Sequence, residues 1–385
     1  MIGIVFWSAV ALVGYTYAGY PLLITAVGRL RRPAAYRDHT PKVTLIIAAH
    51  NEETVIGDQL RRVAALVYPR ELLQVIVAAD GSDDATPDIV RTFPGVELVH
   101  RPERAGKMAA IVRAVEWATG DVIVMSDANN ALRPDSLGFL VAPFRDPSVG
   151  AVTGRKVVSG PGGLGFGESL YWRYEAHIRR METRIGCTVG VNGEIFAIRR
   201  EAFTPAPPGT INDDQWLAHR AIVAGWDVVF RPEAVSEETV SSTAAEEAER
   251  RSRMVAGQFQ VFSGLHRQIP WRRPVVAWML LSHKVLRPLI PIGMIVALLA
   301  SAAAVAFVPS GGIWRLGTPW GVVTLGLQIA FYAAAAAGDR LPRLGGLGYL
   351  PRFLVIQNLA SLRGLWRHLR GAQSVAWRRA RRDGT

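Results

Sequence analysis

The sequence predicts an α/β catalytic domain held between membrane helices, and three observations predict it. Long apolar runs lie toward both ends, the middle alternates β-branched runs with amphipathic segments, and four consecutive β-branched runs each end in a polar cluster. Half of the 385 residues are hydrophobic and only 20% are charged, too apolar for an ordinary soluble enzyme of this length. The formal charge is +12, from 44 Lys and Arg against 32 Asp and Glu. Because the basic residues sit beside the apolar runs, they read as cytoplasmic loop flanks, and no nucleic-acid partner is expected. The single cysteine, Cys187, cannot form an intramolecular disulfide and lacks the Cys/His neighbours of a zinc site.

Residues 1–28 form the first element. From Ile2 to Val27 there is no charged side chain, which is long enough to cross a hydrocarbon core as a helix. Arg29, Arg31 and Arg32 follow the run rather than precede it, so an uncleaved anchor with its N-terminus outside is expected in place of a cleaved signal peptide.

Residues 41–249 form the hydrophilic middle. VTLIIAA (Val43 to Ala49), LQVIVAA (Leu73 to Ala79), VELVH (Val96 to His100) and DVIVMSD (Asp121 to Asp127) read as buried strands. The stretches near Glu53 to Leu66, Asp84 to Thr92 and Gly106 to Thr119 have helical length and periodicity. This alternation predicts a parallel sheet covered by helices, with ligands beyond the carboxyl ends of the strands. The strands end there in AAHNEE, ADGSDD, HRPERAGK and SDANN. One such cluster is an ordinary turn; four delivered to one edge point to a site. No GxGxxG follows the first strand and no GxxxxGK[ST] occurs, which argues against a dinucleotide oxidoreductase or a P-loop ATPase.

Residues 250–285 are expected to form amphipathic interface helices, with Pro270 to Leu281 lying along the membrane surface. Residues 286–338 hold two further apolar runs, Leu286 to Val308 and Trp320 to Gly338, joined by a short Gly/Pro linker. Arg272, Arg273, Lys284 and Arg287 precede the pair, Arg340 and Arg343 follow it, and the linker holds only Arg315. The pair therefore reads as a hairpin entering from the cytoplasm and returning to it. The segment 344–370 is interrupted by Arg352, Asn358, Arg363 and His368. A crossing there would carry the basic tail 371–385 outside, so an interfacial or re-entrant helix is expected.

The ordered series AAHNEE, ADGSDD, ERAGK, SDAN, VNGEIFAIRR (Val191 to Arg200), NDDQWLAHRAIVAGW (Asn212 to Trp226), RRSRMVAGQFQ (Arg250 to Gln260) and SHKVLRPLIP (Ser282 to Pro291) resembles the family 2 glycosyltransferases. The similarity is to their membrane-bound branch of cellulose, chitin, hyaluronan and poly-N-acetylglucosamine synthases, and it covers nearly the whole chain. It implies a GT-A (Rossmann-like) catalytic domain, a nucleotide-sugar donor, Mg²⁺ or Mn²⁺, and inversion at the anomeric carbon. The apolar runs and their basic flanks add the expectation of an inner-membrane enzyme with its catalytic domain cytoplasmic. The expected acceptor is a saccharide or a lipid-linked molecule, and the expected donor a UDP-hexose or UDP-N-acetylhexosamine. Single transfer to polyprenyl phosphate and a catalytically silent scaffold stay open. A transporter does not fit, since three spans supply too little membrane wall.

By that resemblance Asp127 holds the metal on the pyrophosphate, and Asn129 fills the second position of the family's Asp-x-Asp motif as a weaker, neutral ligand. Asn51 and Glu52, then Asp80, Gly81 and Ser82, line the nucleoside. Arg104, Lys107 and the backbone at Ala128 complete the donor side, the basic pair offsetting charge on the leaving diphosphate. Asp214 corresponds to the general base and Asp213 to its support, although both also suit the N-terminal turn of a helix. Asn192, Gly193, Arg250, Arg253 and Gln258 fall on the acceptor side. The family's Arg-Trp pair is missing from RRSRMVAGQFQ, which puts processive extrusion in doubt, and its arginines also suit a headgroup-facing surface. Trp172, Tyr174 and Trp216 read as core or interface aromatics.

Overall fold

The computed structural model describes residues 1–159, 162–239, 244–338 and 345–371. An eight-stranded sheet organises the middle of the chain. Its strands are β1 (Val43–Ala49), β2 (Leu73–Asp80), β3 (Val96–Arg101), β4 (Val122–Asp127), β5 (Ala131–Leu132), β6 (Val149–Ser159), β7 (Phe196–Arg199) and β8 (Asp227–Thr239), in the order β3-β2-β1-β4-β7-β6-β8-β5. The first four are parallel, with Val43 beside both Leu73 and Val122. β1 is buried along its whole length, as expected of a β-branched strand covered on both faces.

The far half departs from the parallel sheet read from the sequence. β7 runs antiparallel to both β4 and β6, β8 is parallel to β6, and β5 pairs antiparallel with β8. The physical reason is the route of the chain. Phe196 at the start of β7 pairs with Met125 near the end of β4, so residues 189–195 arrive at the edge where the parallel strands finish.

Alternate residues of β1 divide between two cores, following the period of two of a strand. Leu45 and Ile47 pack with Val77 and Val124 under the Ile56–Ala64 and Ser136–Val141 helices. Ile46 packs with Ile76, Ile123 and Ile198 under the Lys107–Trp117 and Asp213–Val223 helices. This second core extends to Tyr20, Ile24, Met279 and Leu280, which belong to the apolar helices.

Among the described residues three helices are long and apolar enough to cross a membrane: Ile2–Arg29, Pro274–Phe307 and Trp320–Ala337. The first two meet through small residues, Ala9 against Ala297, Ala300 and Ala304. A Cβ on Gly293 would lie only 3.2 Å from the Val13 side chain, which shows how closely the backbones approach. Pro270 to Leu281 does not form a separate surface segment. A helix starts at Pro274 and continues through a wider turn at Leu281–Val285, because Met279 and Leu280 are buried against the catalytic domain.

The Gly345–Leu369 helix is not among those apolar enough to span. It lies along the Ala244–Phe262 helix, where Arg367 pairs with Glu249 at 2.7 Å and Gly364 passes so close that a Cβ would stand 2.7 Å from the Ser252 carbonyl oxygen. The Ala244–Phe262 helix runs unbroken across the expected boundary between residues 249 and 250. The basic tail beyond Gly371 lies outside the described residues.

Candidate active site

The loops after β1 and β2 are stapled to each other. Asn51, in a left-handed conformation (φ 55°), donates its amide to Asp83 (2.6 Å) and accepts the Asp83 N–H (3.0 Å). The Asn51 N–H reaches Ser82 Oγ at 3.1 Å, and the N–H of buried Glu52 reaches Thr86 Oγ1 at 2.8 Å. Gly81 also has positive φ (62°), and a Cβ there would lie 2.7 Å from Arg104 Cβ and 2.9 Å from its Cα. Only glycine lets the ERAGK loop rest on this turn.

Asp80 anchors that loop. Its buried carboxylate accepts the N–H groups of Ala105 (3.1 Å) and Gly106 (2.6 Å) and the guanidinium of Arg113 (3.0 Å). The side chain expected to touch the nucleoside therefore also shapes the loop that presents Lys107. At the end of β4, Lys107 Nζ stands 2.7 Å from Asp127 Oδ1. Burial works against the charge on Lys107, but Asp127, Asp213 and Asp214 outweigh it and hold the ammonium above its ordinary range. The donor-side lysine and both candidate bases thus share one electrostatic site.

The residues present fit a divalent cation of the kind that shares its coordination with a diphosphate. Apart from the Lys107 ammonium, no described group donates to Asp127 Oδ1, and the Asn129 side chain makes no hydrogen bond with a described residue. Among the described residues no three His, Cys, Asp or Glu side chains gather as a metal site. One carboxylate and one amide would leave the remaining positions to substrate phosphates and water, a common arrangement for Mg²⁺. The neighbouring Asn130 has a different task, bonding Ser126 Oγ at 3.2 Å and the Glu194 carbonyl, and it accepts from Ser236.

Asp213 and Asp214 open the Asp213–Val223 helix, and each carboxylate accepts the N–H of the residue that follows it. Buried Asp213 accepts the Asp214 N–H at 3.0 Å, as a residue serving the first turn does. Asp214 is less buried, and its carboxylate rests on Gly193, where a Cβ would come within 2.9 Å of Oδ2. Burial first, then the charge of Asp213, raise its pKa from 3.8 to about 6, while the Gln215 N–H, Lys107 and Lys284 pull the other way. A carboxylate poised there accepts protons near neutral pH.

The acceptor-side expectations divide. Gly193 supports Asp214, as above. Asn192 does not offer its side chain to a ligand: the amide donates to Gly154 O (2.9 Å) and accepts from Arg179 (2.5 Å), which fixes the loop beneath Gly193. Gln258 is likewise turned away, donating to the Lys284 carbonyl. Its neighbour Gln260 holds the loop that precedes the Asp213–Val223 helix, donating to Gly209 O (2.8 Å) and accepting from the Ile211 N–H (3.0 Å). Arg250 contacts Met254 Sδ at 3.5 Å on the exposed side of the helix. Arg253 makes no hydrogen bond or ion pair with a described residue and faces the charges of Asp213 and Asp127.

Sequence reasoning missed a buried network that joins this loop to the membrane helix. Glu182, fully buried, accepts from Tyr20 Oη (2.5 Å), His283 Nδ1 (2.7 Å), Thr188 Oγ1 (2.7 Å) and the Val189 N–H (3.2 Å). Glu175 pairs with Arg287, with His283 Nε2 at 3.3 Å and with Arg179 at 3.4 Å. Burial would raise the Glu175 pKa, but Arg287, His283 and Arg179 hold it well below the usual carboxylate range. The signals were acids repeating along one helix, Glu168, Glu175 and Glu182, and a His-Lys-x-x-Arg run at the start of an apolar stretch.

The sheet thus gathers the Lys107–Asp127 pair and the Asp213–Asp214 pair at one edge. Residues 41–257 match the family described as "Glycosyltransferase like family 2", and the chain belongs to that family. It is similar to a beta-monoglucosyldiacylglycerol synthase of Trichormus variabilis, 28% identical over 275 residues, which are 67% of this chain and 58% of that protein. It is also similar to a poly-beta-1,6-N-acetyl-D-glucosamine synthase of Staphylococcus aureus, 24% identical over 243 residues, 60% of this chain and 58% of that one. The chain thus spans 58% of the length of these two curated relatives. Among solved structures it resembles the mannosyltransferase PcManGT from Pyrobaculum calidifontis in complex with GDP-Man and Mn²⁺, with TM-score 0.72 and 25% identity, covering 96% of this chain and 99% of that one.

Proposed function

We propose that this glycosyltransferase moves a hexose or N-acetylhexosamine, with inversion, from a UDP-sugar or a related nucleoside diphosphate sugar to a hydroxyl of a saccharide or lipid-linked acceptor at the membrane. The observation that carries this reading is the sharing of one site by Lys107, Asp127, Asp213 and Asp214, with Asp214 supported on Gly193.

Asp214 takes the proton of the acceptor hydroxyl, whose oxygen forms the new bond to the anomeric carbon. The bond from that carbon to the diphosphate oxygen breaks, and the electron pair leaves with the nucleoside diphosphate. Lys107 and Arg253 offset the charge that develops there. A divalent cation, Mg²⁺ or Mn²⁺, supplies further neutralisation when held by Asp127 and Asn129. Attack from the side opposite the leaving group inverts the centre. Asp80, Gly81, Ser82, Asn51 and Glu52 shape the nucleoside side through the stapled loops, and Arg104 belongs to the same loop system.

The relatives' names cover both a diacylglycerol glycolipid and a polysaccharide, which supports keeping both acceptor classes. The three apolar helices and their basic flanks support an inner-membrane enzyme with the sheet on the cytoplasmic face, an anchor over 1–28, a hairpin over 286–338 and an interfacial helix over 344–370. The test is nucleotide release by detergent-purified protein from UDP-, GDP- and TDP-sugars, with and without Mn²⁺ or Mg²⁺. Release from none of them under either metal would overturn the reading. A polyprenyl phosphate acceptor arrives already ionised and needs no base, so transfer that is indifferent to Asp214→Asn would favour single transfer to that lipid.

A further inference from the structure

Lys284 sits in the Leu281–Val285 turn of the Pro274–Phe307 helix, partly buried, and its ammonium has no hydrogen bond or ion pair with any described residue. The turn around it is firmly held. His283 lies between Glu182 and Glu175, Arg287 pairs with Glu175, and Gln258 donates to the Lys284 carbonyl. Those contacts occupy the carboxylates that would otherwise neutralise the lysine. An ammonium that solvent reaches, unpaired among the described residues while its neighbours are paired, is free to bind a partner from outside the chain.

Its position says where that partner comes. A Cβ on Gly190 would stand 3.0 Å from Lys284 Nζ, and a Cβ on Gly193 would stand 2.9 Å from Asp214 Oδ2. The ammonium and the candidate base therefore rest on the same short loop, one delivered by the membrane helix and the other by the catalytic helix. The positive charge of Lys284 also acts on Asp214, whereas Arg253 faces Asp213 and Asp127. These two cations, both without a hydrogen bond or ion pair among the described residues, thus bracket the acidic pair, Arg253 toward Asp127 and Lys284 on the Asp214 side.

We propose that Lys284 is an acceptor-binding residue whose ammonium hydrogen-bonds an acceptor oxygen beside the hydroxyl that Asp214 deprotonates. This rests on the reading of Asp214 as base. The oxygen belongs either to a hydroxyl or to a phosphate, since both accept from an ammonium. Because the residue is carried by a helix that spans or edges the membrane, the acceptor is read where the bilayer meets the sheet.

The experiment uses the full chain in detergent with the donor selected by the nucleotide-release panel. Sugar transfer into the lipid extract of host membranes and into n-octyl glucoside is measured across acceptor concentration, alongside donor hydrolysis, in which water is the acceptor, and nucleotide binding. In Lys284→Gln, half-saturation by the better acceptor should rise about tenfold or more, as expected for loss of a charge-assisted bond. Nucleotide binding and hydrolysis should stay within about twofold, and Lys284→Arg should recover most of the acceptor affinity. Inhibition of the wild type by inorganic phosphate, absent in Lys284→Gln, would assign the oxygen to a phosphate; no such inhibition would assign it to a hydroxyl. Unchanged acceptor saturation in Lys284→Gln, or a parallel loss of nucleotide binding, would overturn the proposal. Failure of the base reading shows separately, as normal transfer by Asp214→Asn.

Discussion

Replacing Asp214 by Asn separates chemistry from architecture, because the two effects are expected to have opposite signs. The amide keeps the shape of the carboxylate on Gly193, and the first turn still has Asp213 to accept the Asp214 N–H. Basicity is lost, so transfer should fall roughly 10²- to 10⁴-fold, the usual contribution of a general base, while donor binding changes little. Stability should move the other way. A carboxyl that titrates near 6 in the fold rather than at 3.8 is disfavoured in its charged form, a penalty of up to about 3 kcal/mol if the shift were fully realised. Solvent reaches part of the side chain, so on the order of 1–2 kcal/mol is expected in practice. The penalty vanishes only well below 3.8, where Asp214 is protonated in both states, grows as pH rises, and is complete above about pH 6. Asp214→Asn should therefore melt a few degrees higher than the wild type at pH 7.5 and nearly equally at about pH 3, while wild-type transfer should lose activity as pH falls through about 6. Thermal melts at both values, with transfer and nucleotide binding at pH 7.5, test the reasoning. An inactive variant that also melts lower at pH 7.5 would refute the assigned electrostatics, and an active one would leave the base unassigned, with Asp213→Asn then separating a base at Asp213 from an ionised acceptor that needs none.

Asp127→Asn should weaken metal-dependent nucleotide binding about tenfold or more together with turnover, and excess chelator should abolish wild-type transfer; titration calorimetry with and without Mn²⁺ reads the first effect. Gly81→Ala forces a Cβ into the Arg104 backbone at a positive φ, so a loss of about 1–3 kcal/mol and a weaker donor affinity are expected, measured by melting and nucleotide binding.

The parallel half of the fold was legible because each strand is a short β-branched run closed by turn residues, and the structure places β1 to β4 within a residue of those runs at each end. The antiparallel half was not. β5 has two residues and β7 four, too few for periodicity to show, and the reversal at β7 depends on where the preceding loop lands. Motif order singled out Asp127, Lys107 and the Asp213–Asp214 pair, which the structure brings together, but not that both members of the pair would accept first-turn N–H groups. Gln258 and Gln260 show the limit well. They lie on different faces of one helix, and sequence spacing alone does not say which face meets the catalytic loop. The Glu175, Glu182, His283 and Arg287 network joins residues about 100 positions apart, and no local pattern announces such pairings.

The core beneath the sheet does not stop at the catalytic domain, since Tyr20, Ile24, Met279 and Leu280 complete it. An enzyme on a flexible tether samples many heights above a bilayer; one that shares its core with its membrane helices has a single height. With Asp214 as the proposed base, the distance from the lipid surface to it would then work as a ruler, admitting hydroxyls that ride at one depth and excluding those carried too far out or buried too deep. A series of glycolipid acceptors differing only in spacer length should show a sharp optimum, and a flat response would mean that the domain moves freely over the membrane.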